Sequence, residues 1–189
     1  MDAVITLMLV QGTLGAADTL YYHEWRCRLT ARPQEMGREL RLHAARDFIY
    51  AVIFATLPWF TWSGACAWLL CGLLLAEVLI TLVDFLVERT TRASQGGLAT
   101  GEFVTHVIMA IVYGAFLATL APHLYGWSGA ETGWTPHAGV SPLVGGVCVV
   151  MAVGVFASGL RDLGASAGIA ACAWPWNRPP TDPDQRRAS

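Results

Sequence analysis

Residues 39–57 read ELRLHAARDFIYAVIFATL, and residues 102–120 read EFVTHVIMAIVYGAFLATL. At a constant offset of sixty-three residues, Glu39 falls on Glu102, His43 on His106, Tyr50 on Tyr113, and Ala55-Thr56-Leu57 on Ala118-Thr119-Leu120. Upstream of each copy Asp18, Leu20 and Arg26 match Asp84, Leu86 and Arg92 at an offset of sixty-six. An internal repeat of this kind predicts two helical hairpins, each contributing an Asp, a Glu and a His.

Composition sets the environment. The chain is 54% apolar and 14% charged with a mean hydropathy of +0.47, whereas a soluble domain is about 25% charged. The expectation is an all-α integral membrane bundle of five transmembrane helices near 4–25, 39–60, 65–88, 102–124 and 142–162, each close to the ~20 residues that cross the hydrocarbon core. Residues 1–162 then form the transmembrane bundle, with repeat 1 at about 4–60, repeat 2 at about 65–124 and the extra helix at 142–162. Residues 163–189 form a small-residue and Pro-rich cytoplasmic tail, disordered towards its end. Met1-Asp2-Ala3 lacks the cationic region of a secretory signal, so the first span is expected to be retained.

All twelve cations are arginines. They lie at 26–46, at 89 and 92, and from 161 onward, in alternate loops, which predicts an N-terminus outside, a C-terminus in the cytoplasm and a bacterial inner-membrane location. Both hairpins then share one topology, a parallel repeat about an axis along the membrane normal. Trp59, Trp62 and Trp127 suit the outer aromatic belt, and Trp25, Trp174 and Trp176 the inner one. The net charge of −2 offers no basic stripe for nucleic acid. Cys27, Cys66, Cys71, Cys148 and Cys172 lack paired metal spacing and read as packing residues. Gly145, Gly146, Gly154 and Gly159 suit close helix approach, within the bundle or in a homodimer. The stretch from Trp127 to Ser141 is long for a hairpin and is expected to cap the outer side.

Ionisable groups inside a span cost at least ~2.5 kcal/mol each near the bilayer centre, so they face the bundle interior and mark function. Glu39, His43, Asp47 and Tyr50 recur at helical intervals, as do Glu77, Thr81, Asp84 and Glu88, and Glu102, His106, Met109 and Tyr113. Gln11, Asp18 and Tyr22 share a stripe of the first span, with His23 and Glu24 to either side. The topology sets these groups in the cytoplasmic half, where they can meet. Asp18, Glu39, His43, Asp84, Glu102 and His106 are the expected metal ligands, four carboxylates and two imidazoles. His23, Glu24, Asp47, Glu77 and Glu88 are candidates for additional ligands or for orienting partners. Glu-x-x-x-His in two helices is one residue longer than the Glu-x-x-His spacing of ferritin-like di-iron proteins, a chemical similarity. Two metal ions are expected, iron first, with manganese or zinc as alternatives.

The expected function is a membrane-bound metal-dependent oxidoreductase that oxidises, hydroxylates or desaturates a lipophilic substrate with O2. Tyr50 and Tyr113 are its candidate catalytic side chains, and electrons come from a partner protein or quinol, since the sequence has no dinucleotide-binding glycine motif. Two alternatives use the same groups: a heme b electron carrier clamped by His43 and His106, or a proton- or cation-coupled carrier. The bland reading also stands. Glu39, Glu88 and Glu102 lie near helix ends, where they could pair with Arg41, Arg46, Arg89 or Arg92. His123 and His137 belong to the outer surface.

Overall fold

The computed structural model describes residues 1–136 and 140–174. His137, Trp176 and the tail beyond Trp174, where composition predicts disorder, lie outside the described residues. Five long helices make the fold: α1 (Asp2–Asp18), α2 (Pro33–Thr56), α3 (Ala65–Thr91), α4 (Thr100–Ser128) and α5 (Pro142–Ser166). α1 continues without a break into a π-helical segment, Thr19–Arg26. Pro33 opens α2 and Pro142 opens α5 at the helix start, where a missing N–H costs nothing.

Among the described residues, four helices are long and apolar enough to cross a membrane: Asp2–Arg26, Ala65–Thr91, Thr100–Ser128 and Pro142–Ser166. Their outward faces are apolar. Leu75, Leu79 and Leu86 on α3, Ile111 on α4 and Val150 and Val153 on α5 are all more than half exposed, which is unfavourable in water and suits hydrocarbon. α2 differs because Glu35, Arg38, Glu39, Arg41, Arg46 and Asp47 crowd its first two-thirds. It packs along α5 and α3, while α1 packs along α4. Gly159 brings α5 close enough that a Cβ there would lie 3.0 Å from Asp47 and Phe48, and Gly145 meets Trp59 and Val140; Gly146 and Gly154 face open space.

An apolar core of Val4, Met8, Phe54, Leu57, Leu70 and Leu120 fills one end of the bundle. That end is closed by β1 (Phe60–Ser63) and β2 (Gly133–Pro136), paired antiparallel with Trp62 opposite Trp134. The cap expected of residues 127–141 thus takes the form of a strand laid on the α2–α3 connection. Trp62 departs from the sequence reading. It is 1% exposed with its ring 5.0 Å from that of Trp134, so it serves as a core residue under the cap and not as a belt anchor.

Gly64 makes this closure fit. Its φ of 59° favours glycine, its N–H donates to the Trp127 carbonyl at 2.9 Å, and a Cβ would come within 2.8 Å of the Thr132 backbone. Gly64→Ala is expected to cost roughly 2 kcal/mol or more from strain and overpacking. Thermal unfolding in detergent, with Gly72→Ala as the comparison in open space, checks it. An unchanged midpoint would show that the cap does not contribute to stability.

Candidate metal centre

The other end of the bundle gathers the ionisable groups. Asp18 ends α1, Asp84 and Glu88 lie one turn apart near the end of α3, and Glu39/His43 and Glu102/His106 sit one turn apart near the starts of α2 and α4. Because the helices alternate in direction, these ends share one level. His23 arrives by another route. It follows Asp18 by five residues, roughly 140° around an ordinary α-helix, but the π-helical segment, with its i→i+5 bonds, returns residues five apart to nearly the same face. Both are buried, and His23 Nε2 lies 3.3 Å from Asp18 Oδ2.

Two sets of side chains each offer ligand atoms within 4.8 Å of one another: His23, Glu88, Glu102 and His106 in one, Glu39, His43 and Glu88 in the other. Glu88 belongs to both. It is 1% exposed and neither carboxylate oxygen accepts a hydrogen bond; the imidazole Nδ1 of His106 lies 3.5 Å from Oε2. His23 Nε2, His43 Nε2 and His106 Nδ1 are likewise buried without hydrogen-bond partners. Burying such groups unsatisfied costs several kcal/mol in total unless something else binds them. All of them face the same small volume, so this donor set could hold a metal ion.

Two aspartates contact the imidazoles. Asp18 Oδ2 meets His106 Nε2 at 3.1 Å and Asp84 Oδ2 meets His43 Nε2 at 3.2 Å. At His106 the aspartate takes Nε2 and leaves Nδ1 towards Glu88, the arrangement in which a carboxylate fixes the ring of a ligating histidine and raises its basicity. At His43 Asp84 lies against the same Nε2 that is open to the cluster, so there the aspartate shares the inward nitrogen. The rings of His23 and His43 stack with centroids 4.5 Å apart.

Two arginines enter the cluster. Arg92, 1% exposed, reaches Glu39 Oε1 at 2.7 Å and Glu102 Oε1 at 3.1 Å, and Thr91 donates to Glu39 Oε2 at 2.8 Å. Arg46 lies 3.1 Å from Asp84 Oδ2 and 3.5 Å from Glu77 Oε1. The bland reading of Glu39 and Glu102, pairing with a nearby arginine, thus holds for Arg92, which is buried between them and not solvated.

The remaining expected residues separate from the centre. Glu24 accepts from Arg161 of α5 and from Thr30, and Arg161 also meets Asp162 at 3.2 Å, tying the end of α1 to α5. Asp47 packs against Gly159. Glu77 is two turns above Asp84, accepts from Tyr50 at 3.1 Å and Thr81 at 3.0 Å, and lies beside the Tyr50 and Tyr113 rings, whose centroids are 6.1 Å apart. His123 sits towards the capped end, its ring 5.8 Å from that of Trp127.

Arg46 and Arg92 each had a sequence signal. Arg46 falls on the stripe 39, 43, 46, 50, and Arg92 continues the stripe 84, 88 by one turn. His23 stood only as an additional candidate to one side of the Asp18 stripe, because α-helical periodicity assumes the wrong number of residues per turn at that place. No protein-family model matches the chain, and neither a curated protein nor a solved structure does.

Proposed function

We propose that this chain is an integral membrane metalloenzyme whose His/Glu centre activates O2 against a lipophilic substrate. The observation that carries the reading is Glu88, a buried carboxylate without a hydrogen bond, shared by two groups of metal-capable side chains. A carboxylate in that position suits a bridge between two ions, which sit ~3.5–4 Å apart in two-metal sites. Three imidazoles and three glutamates favour iron or manganese, with zinc accepting the same atoms. Redox-active ions bound here would supply O2-dependent oxidation. Hydroxylation delivers one oxygen atom to the substrate and releases the other as water, drawing two electrons and two protons from an electron-donor protein or quinol. Tyr50 and Tyr113, beside Glu77 and one step from Arg46, are suited to relay them.

In this reading α2 is a fifth span whose charges are tolerated because its partners lie within the bundle. The two hairpins form parallel repeats. Support comes from the crossed pairs Asp18–His106 and Asp84–His43, from the shared grip of Glu39 and Glu102 on Arg92, and from Tyr50 facing Tyr113. The arginine pattern sets the N-terminus outside and the tail in the cytoplasm. Reporter fusions at Ser189 and in the loop at Gly133 are expected to give opposite answers; one answer for both would remove a span.

Metal analysis of purified protein with an optical spectrum tests the function. Iron without a Soret band is the expected result. His43→Ala and His106→Ala should each lower bound metal at least about tenfold, while His123→Ala should not. A Soret band would instead fit a heme b carrier on His43 and His106, and a metal-free protein that moves protons would fit the coupled carrier.

A further inference from the structure

Beside the His/Glu cluster lies a cavity of about 500 Å³. One wall is α1, with Gly12, Gly15 and Ala16, and the facing wall is α5, with Val150, Gly154 and Ala157; Tyr50 and Phe54 of α2 form its back. At one end it is lined by Asp18, His23, His43, Asp84, Glu88 and His106. α1 and α5 meet across this space and not through extensive packing, since α1 packs on α4 and α5 on α2. The helices on both sides of the gap are long and apolar enough to cross a membrane, and Val10, Val150 and Val153 beside it are exposed. The gap therefore lies between two helices able to cross a membrane, with exposed apolar side chains at its edge.

Resting on the metal-centre reading above, we infer that the slot between α1 and α5 admits the hydrocarbon chain of a bilayer lipid and delivers it end-on or side-on to the Glu88 cluster. Three observations converge on this occupant. The accessible lining of the slot is mostly apolar, with Gln11 and Tyr50 at one level and Asp47, Arg161 and Asp162 joining the cluster as its polar members. It runs along about 10 Å of α1 from Gln11 to Asp18, which suits a narrow extended chain better than a compact solute. The buried Glu88 and His23, whose carboxylate oxygens and Nε2 lack hydrogen bonds, line it, so a chain inside lies against the atoms that would hold the metal. Gly15 and Gly154 matter by their size. A Cβ at either position meets nothing within 4 Å, so a large side chain there enters the slot without disturbing the fold.

The test reconstitutes the full chain in phosphatidylcholine vesicles that carry one of two photoreactive probes: phosphatidylcholine with a diazirine on its acyl chain, or a free long-chain alcohol with the same group. After photolysis, adducts are mapped by mass spectrometry. In the unaltered protein Tyr50 of α2 and Met151 of α5, which line the slot and are half-buried, should be labelled. Gly154→Phe and Gly15→Phe should each reduce that labelling at least about fivefold. Leu75 and Ile111, outward on α3 and α4, should stay labelled, and Gly146→Phe, on α5 but outside the slot, should change nothing. Labelling by both probes shows that a chain alone suffices, and labelling by the phospholipid alone assigns the slot to an intact lipid; either supports the proposal. Absence of adducts on Tyr50 and Met151 with both probes, or adducts that both slot-filling variants leave intact, overturns it. Metal content measured on the same samples separates the two readings, because Gly154→Phe should keep its metal even as it loses the lipid.

Discussion

Glu88→Gln is expected to lower bound metal more than any other single substitution, to below about a tenth of the wild-type content, and to abolish activity with it. The amide removes the negative charge and one of two oxygens from the side chain common to both ligand groups. Loss of a partner behind a ligand already costs 10–100-fold in affinity, and loss of a bridge exceeds that. Stability supplies the readout that a structural role would not give. With metal removed, the wild-type Glu88 carboxylate is buried without a hydrogen bond, and relieving that charge should leave metal-free Glu88→Gln at least as stable as metal-free wild type. Thermal unfolding in detergent with and without metal measures both effects. If the variant keeps its metal, or if it melts well below the wild type in the metal-free state, Glu88 is a packing residue and the two-group description fails.

Arg92→Leu carries the second large effect. It leaves Glu39 and Glu102 buried and facing each other without the guanidinium that now lies 2.7 and 3.1 Å away. Breaking a buried pair by removing one partner costs about 3–5 kcal/mol. Both glutamates also offer ligand atoms to the metal groups, so a divalent ion can take over part of the arginine's role. The expected pattern is a large drop in melting temperature for metal-free Arg92→Leu and a smaller one when Fe(II) or Mn(II) is present. A penalty independent of metal would mean that the two glutamates serve the arginine alone, and that the surviving centre is limited to His23, His43, His106 and Glu88.

Helices long and apolar enough to cross a membrane, the approximate limits of the five long helices, and the clustering of ionisable groups at their facing ends are legible in the sequence alone. Each of these follows from local pattern: apolar runs of a given length, and Glu/His pairs one turn apart that must share a helix face. The repeat also brought forward six of the residues that meet, because Asp18, Glu39, His43, Asp84, Glu102 and His106 stand out as ionisable groups at matching positions in apolar surroundings.

Their roles depend on tertiary packing. Which nitrogen or oxygen faces inward depends on the rotation of each helix about its axis, and this put Asp18 on the outer nitrogen of His106, Asp84 against the inward nitrogen of His43, and Glu88 in the middle. The π-helical segment after Asp18 altered that rotation and turned His23, legible in the sequence only as a candidate beside the stripe, onto the face of Asp18. Arg92 is legible as one of four arginines that could pair with these carboxylates, and packing selected it: its long side chain folds back between Glu39 and Glu102, fifty-three residues before it and ten after it in the chain. The pairing of Trp62 with Trp134 under the two-stranded cap is of this kind as well, since strand register between distant loops is set by where the helices leave their ends. Local sequence fixes which groups must avoid lipid, and the packing of α1 on α4 and α2 on α3 fixes which of them face one another.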